Sequence, residues 1–264
     1  MGPMMWKTSL LPDGWRSTLS AFSFVVARIV TGKSDVAADT GAIDIFAAAE
    51  AAGAERWGWG WGYLRDAEAA ASEGVAAGKA AKKYAVKVYV LNAEKHAFGK
   101  EGEPKPADIP GNFAAFASAF RAHAPGVLLS YGGYSQVMVG SSVLDSIVGL
   151  FDAWGPMVYG TKRSTIAKKW ANEYARARTA GIWFTPITGT GRTEAASGAT
   201  WGFAYGSGGD PGLVELQADM PAEAIQPFCG GGTPTGGSML VAGNAQNPPL
   251  PTLARKLAGD EAVT

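Results

Sequence analysis

A single cysteine, Cys229, and two histidines, His96 and His123, are all that this chain of 264 residues holds of those types. One cysteine cannot close an intrachain disulfide. One Cys with two His also falls short of the four ligands of a usual His/Cys zinc site, so disulfide scaffolds and zinc modules are excluded and neither metal nor cofactor is expected. Charge is sparse too: 23 Lys+Arg balance 23 Asp+Glu, and charged residues are only 17% of the chain, with no basic run or tail. Chains that bind nucleic acid non-specifically neutralise phosphates with surplus Lys/Arg, so no nucleic-acid partner is expected. No uninterrupted apolar run approaches the roughly 18–20 residues of a membrane span. Residues 1–11 lack the charged start, apolar centre and small-residue cleavage site of a secretory signal.

What the chain does hold is apolar residues, at 47%, together with 36 Gly and nine Trp. That is too apolar for a disordered chain. Runs rich in Val, Ile, Trp and Tyr predict strands at 22–30, 56–63, 84–91, 127–131, 155–159, 181–187 and 200–205. Helical patterns lie between them. Residues 43–52 and 66–81 are Ala-rich, Phe113, Phe116 and Phe120 recur at i, i+3, i+7, and Val143, Ile147, Val148 and Phe151 share a face within 141–153. Residues 164–180 place Ile166, Trp170 and Tyr174 at i, i+4, i+8 and stop at Gly181. Strand and helix alternate roughly every 30 residues, the spacing of βα units in a parallel sheet. With an eighth strand at 6–10, ahead of a helix-like stretch at 15–21, the expected fold is α/β, a (β/α)8 TIM-type barrel over 1–220. An open doubly wound sheet is the alternative. Residues 221–264, with Gly230–Gly232, Pro248, Pro249 and Pro251, read as an irregular Gly/Pro-rich C-terminal tail that could dock on an assembly partner.

In such a barrel the reacting groups stand at the C-terminal ends of the strands. The fourth strand ends Val88-Tyr89-Val90-Leu91-Asn92-Ala93-Glu94, and period two puts Asn92 and Glu94 on one face with Val88 and Val90. If that face points inward, Glu94 stands over an apolar floor that raises its pKa and suits it to general-acid work. The alternative is a solvated ion pair with Lys95 or Lys100. Segment 96–112 is a long polar connection of the kind that often carries function. Tyr131 and Tyr134 flank a Gly-Gly turn, Tyr159 ends the sixth strand, Trp183 lies on the seventh, and Trp201 alternates with Phe203 on the eighth. Aromatic faces stack on sugar rings and phenols hydrogen-bond to sugar hydroxyls, so these residues are candidate polysaccharide contacts, although each could equally be core. In Trp57-Gly58-Trp59-Gly60-Trp61-Gly62-Tyr63, strict alternation sends the Trp to one face and the Gly to the other. Either the Trp face the helices or they plug the barrel. In both cases Trp57 and Trp59 are core, and Trp61 and Tyr63 can reach a ligand.

The run Phe24-Val25-Val26-Ala27-Arg28-Ile29-Val30-Thr31-Gly32-Lys33-Ser34 resembles the second strand of glycoside hydrolase family 25 lysozymes, and the element order stays similar up to Asn92-Ala93-Glu94. In that family the fourth strand ends Asp-x-Glu, and the resemblance implies that Glu94 is the proton donor to the glycosidic oxygen, with Asn92 replacing the Asp. Ser130-Tyr131-Gly132-Gly133 and Met157-Val158-Tyr159 also look like strand ends of family 18 chitinases, although the first follows Glu94 where chitinases have it precede. The implied class is a glycosidase-like barrel.

Two-carboxylate glycosidases need a second Asp/Glu, which Asn92 cannot supply. Asp35, Glu194 and Asp210 are candidates on loops. A substrate-assisted route, with the sugar's N-acetyl oxygen attacking while Asn92 and Tyr159 orient the acetamido group, removes that need. Two functions follow as expectations. One is a glycosidase-like barrel acting on an N-acetylhexosamine polymer such as peptidoglycan, with Glu94 as acid/base. The other is a non-catalytic barrel, a pseudoenzyme, serving a phage virion or other assembly through its tail. Either would be cytoplasmic when made, then virion-associated or released to the cell wall. A barrel enzyme acting on a small metabolite is a third reading.

Overall fold

The computed structural model describes residues 2–5, 15–21, 24–157, 163–185, 187–189, 193–194, 200–201 and 239–242. Its strands are β1 (Gly2–Met5), β2 (Phe24–Thr31), β3 (Ser34–Asp35), β4 (Glu55–Gly62), β5 (Val88–Ala93), β6 (Leu128–Tyr131), β7 (Ala153–Trp154), β8 (Trp183–Phe184), β9 (Ile187–Gly189), β10 (Thr193–Glu194), β11 (Thr200–Trp201) and β12 (Met239–Ala242). Its helices are α1 (Ala37–Thr40), α2 (Ala42–Ala51), α3 (Ala67–Lys83), α4 (Lys95–Phe98), α5 (Ile109–His123), α6 (Gln136–Val139), α7 (Ser141–Ile147) and α8 (Arg163–Ala180).

The main sheet runs β8-β7-β6-β5-β4-β2-β1-β12-β9, with every pairing along that path parallel. β8 and β9 are two residues apart in sequence, and a bridge between Met157 and Ile187 joins β9 to the continuation of β7. The sheet therefore closes on itself through β1, β2, β4, β5, β6, β7, β8 with β9, and β12. This is the expected TIM-type barrel, with helices intervening between strands.

Several boundaries differ from the sequence expectation. The strand expected at 6–10 lies outside the described residues, and the first barrel strand is Gly2–Met5. Of 200–205, Thr200 and Trp201 are described, and they pair antiparallel with Thr193–Glu194 in a separate two-stranded sheet. The barrel position next to β1 is taken instead by Met239–Ala242, four residues from the segment read as irregular. Met239-Leu240-Val241-Ala242 is a short apolar run within a Gly/Pro-rich stretch of sequence, which is why composition alone passes over it. β5 starts at Val88 rather than Tyr84 because Tyr84 caps α3, its N–H reaching the Ala80 carbonyl at 2.9 Å.

Two apolar layers result. Phe24, Val26, Trp57, Trp59, Val88, Val90, Ala153 and Ile187 form a cluster with no helical member, which is the inside of the barrel. Phe24 and Trp57 stack there with ring centroids 3.8 Å apart. The Trp of β4 thus plug the barrel, and its glycines face the outer layer, where a Cβ on Gly60 would overlap the Tyr89 hydroxyl and one on Gly58 the Ile29 side chain. The outer layer packs Tyr89, Leu91, Leu129, Tyr131 and Trp154 against Phe113, Phe116 and Phe120 of α5. Gly74 and Gly78 of α3 let α5 approach, since a Cβ on Gly74 would overlap the Phe116 carbonyl. α3 begins at Asp66, whose carboxylate accepts from Ala69 N at 2.8 Å. α8 ends at Gly181, which is left-handed at φ 70°. No helix among the described residues is long and apolar enough to cross a membrane.

Candidate functional site

The alternation of β5 sends Tyr89, Leu91 and Ala93 outward, and Val88, Val90 and Asn92 into the barrel. Asn92 is 3% exposed. Its Nδ2 donates to Glu94 Oε1 at 3.0 Å, and its Oδ1 is buried with no hydrogen-bond partner among the described residues. Glu94 follows the strand as a half-buried residue at the rim. Burial pushes its carboxyl above the ordinary glutamate range. The Asn92 hydrogen bond opposes that shift, the Glu101 charge adds to it, and Lys95 opposes it.

Glu101 arrives from the connection between α4 and α5. Gly99, left-handed at φ 61°, turns the chain so tightly that a Cβ there would overlap the Lys105 backbone. The Glu101 carboxylate accepts from the Tyr134 hydroxyl at 2.7 Å. Tyr134 is held beside Glu94 because its own N–H bonds to the Ala93 carbonyl at 3.1 Å, and because Gly133 leaves room for that carbonyl. The phenol is 9% exposed, and its pKa is raised by burial first and then by the Glu101 hydrogen bond and the Glu94 charge. His96 Nδ1 lies 2.9 Å from Glu103 Oε2, with the Tyr63 ring edge-on at 4.9 Å.

On the other side of the mouth, Trp61 is in register with Asn92 and with Thr31. Arg28, on the inward face of β2 with Phe24 and Val26, donates to Thr31 Oγ1 at 3.1 and 2.6 Å and lies 5.6 Å from the centre of the Trp59 ring. The loop carrying Tyr63 is fixed from behind. Glu73 of α3 accepts from Tyr63 N at 2.8 Å, and Asn112 of α5 donates to Leu64 O at 2.8 Å.

The structure therefore brings Asn92, Glu94 and Tyr134 together. Tyr131, expected to line the cleft, is fully buried on the outer face. It stacks on Trp154 at 4.2 Å and donates to Tyr134 O at 2.7 Å, because period two on β6 turns Ser130, not Tyr131, inward. Trp183, 40% exposed, opens β8 and pairs with Ala153 of β7, which in turn pairs with Ser130 of β6. Trp201 is placed only as part of the β10–β11 hairpin, and Tyr159 lies outside the described residues. Among the carboxylates expected as partners of Glu94, Asp35 is taken up by Lys83 Nζ at 2.8 Å and by the Tyr84 hydroxyl. Glu194 is placed only by its backbone, and Asp210 lies outside the described residues. The carboxylate that does reach Glu94 is Glu101, which the sequence marked only as part of a long polar connection. Arg28 was also missed, although a charge alternating with Phe24 and Val26 on a buried strand is a visible signal. No group of three or more His, Cys, Asp or Glu able to hold a metal ion is present among the described residues.

Chemically, the mouth offers a carboxyl disposed to hold a proton, an amide with one acceptor open, a second carboxylate carrying a phenol, and the half-buried aromatic residues Trp61 and Tyr63. No protein-family model matches the chain, and no curated protein matches it in sequence, so the resemblance to family 25 lysozymes stands on its sequence run alone. Solved structures do match. A GH18 chitinase from Pseudoalteromonas aurantia aligns over 96% of this chain and 98% of its own, at TM-score 0.62 and 11% identity. An endo-beta-N-acetylglucosaminidase from Cordyceps militaris aligns over 98% and 89%, at 0.60 and 12%. The xylanase and alpha-amylase inhibitor protein from Scadoxus multiflorus aligns over 99% and 98%, at 0.58 and 11%. At these identities the similarity establishes the fold: a glycoside hydrolase-like TIM barrel.

Proposed function

We propose that the protein is a glycosidase-like barrel acting on an N-acetylhexosamine polymer such as peptidoglycan, with Glu94 as general acid/base. One observation carries this reading. At the end of the fourth barrel strand a desolvated carboxyl, inclined to keep its proton, is oriented by a buried Asn whose Oδ1 is open to a donor. A protonated Glu94 can deliver its proton to a glycosidic oxygen. Asn92 Oδ1 can accept from an acetamido N–H, setting the acetyl oxygen to attack the anomeric carbon, so that the sugar supplies the nucleophile. Tyr134 closes one side of this position, and Trp61 and Tyr63 offer apolar faces to the sugar. The structural neighbours named as a chitinase and an endo-beta-N-acetylglucosaminidase support that substrate class.

The test is release of reducing ends from purified peptidoglycan and from chitin oligosaccharides by wild type and Glu94→Gln. Removing a general acid should lower turnover about 10²–10⁴-fold. Equal rates in the two proteins would overturn the assignment.

A second reading, a non-catalytic barrel used for attachment or assembly on a virion or similar particle, is favoured by Asn92 standing where a second carboxylate would and by the inhibitor protein among the structural neighbours. Saturable oligosaccharide binding without turnover in wild type would support it. Because Met239–Ala242 pairs with β1, the assembly role of the tail is tested by removing residues 243–264 only. Loss of assembly with the barrel still folded supports the role, and unchanged assembly refutes it.

A further inference from the structure

Glu101 lies seven residues beyond Glu94 and is linked to it through Tyr134. Its backbone is left-handed at φ 55°, a conformation that side chains with a Cβ rarely adopt, and Gly102 follows at φ 84°. Strain of this kind persists where the surroundings fix it, and it gathers at working sites. What fixes it here is visible. The Tyr134 hydroxyl donates to Glu101 Oε1 at 2.7 Å, Tyr134 N–H is tied to the carbonyl of Ala93, the neighbour of Glu94, and the Phe98 ring stacks on Tyr134 with centroids 6.3 Å apart. Glu103, on the same connection, brings its Oε2 to 2.9 Å from His96 Nδ1 on α4.

We propose that Glu101 is a positioning residue of the Glu94 site, a negative charge fixed by Tyr134 so that Glu94 retains the proton it is to donate. This rests on the reading of Glu94 as the acid/base. The connection between α4 and α5 is then a strap whose role is to carry that charge. The groups facing Glu94 are Asn92 and Lys95 on its own stretch of chain, Glu101 on the strap, and Tyr131 and Tyr134 from β6 and its loop. Of these, Glu101 brings the like charge that opposes ionisation, and burial and that charge act in the same direction.

The experiment is a carbon-detected NMR titration of the Glu94 carboxyl in the full chain, which needs no substrate. Glu101→Gln keeps an acceptor for Tyr134 and removes only the charge, and it should lower the Glu94 midpoint. Glu101→Asp should restore part of the shift. Glu103→Gln, on the same strap but beside His96, should leave the midpoint in place. An unchanged midpoint in Glu101→Gln overturns the proposal. So does an equal shift in Glu103→Gln, which would trace the effect to the strap's position rather than to the charge. Where turnover is measurable, the alkaline limb of the kcat profile should move down by the same amount in Glu101→Gln with KM held. A shifted midpoint in a protein that cleaves no polymer would uphold the positioning role while overturning the glycosidase reading, so the two fail separately.

Discussion

Two glutamates sit in opposite surroundings. Glu173, on α8, is fully buried and accepts from Gln136 N at 2.7 Å, from Trp154 Nε1 at 2.9 Å and from Arg176 Nη1. Arg176 in turn donates to Asp145 at 2.7 Å and to Gln136 at 3.2 Å. Glu94, at the mouth, has one amide donor and a second carboxylate for a neighbour. The same side chain is a structural anion where donors surround it, tying α6, α7, α8 and β7 together. Where donors are withheld and a like charge is supplied, its carboxyl is pushed towards keeping a proton. Environment rather than residue type assigns the role.

That contrast can be broken at Glu173 most severely. Glu173→Gln removes the buried anion and leaves the buried Arg176 charge to the exposed Asp145, and should cost up to about 3–5 kcal/mol in urea unfolding. A loss below about 1 kcal/mol would mean that the network is not what holds α8. Trp154→Phe keeps an aromatic ring against Tyr131 but removes one donor to Glu173, with an expected loss of about 1–3 kcal/mol by the same measurement. The smallest effect belongs to Glu94→Gln. The native carboxyl sits above the roughly 4.3 of an unfolded glutamate. The folded state therefore holds a proton that the unfolded chain has released, and this contribution is complete below about pH 4 and is lost as pH rises through the native value. Since Gln does not ionise, the Tm of Glu94→Gln should match wild type near pH 4 and exceed it increasingly towards about pH 8. A margin independent of pH would show that Glu94 is an ordinary solvated carboxylate.

Much of the barrel was legible in the chain, because a period of two or of 3.6 leaves a pattern wherever one face is buried. Trp57 and Trp59 as core, the stop at Gly181 and the inward pairing of Asn92 with Val88 and Val90 all follow from that. What escaped depended on contacts far apart in sequence. Nothing local distinguishes Tyr131 from Ser130 as the residue turned outward; the partners across β5 and β7 decide it. Glu101 is an unremarked acid in a polar stretch until the turn at Gly99 and the phenol of Tyr134 bring it to Glu94. Met239–Ala242 is too short for its period to register, and its place is set by β1 and β9 on either side.

Closure of the ring by that last strand carries a consequence for how the molecule is made. Gly2 pairs with Met239, so the seam of the barrel joins segments 237 residues apart in the chain. At about 5–20 residues per second of synthesis, β1 waits on the order of tens of seconds for its neighbour. Over that interval one side of β1 is an open parallel edge, able to pair with whatever strand meets it. Slowing the emergence of residues 239–242 should therefore lower the yield of folded protein.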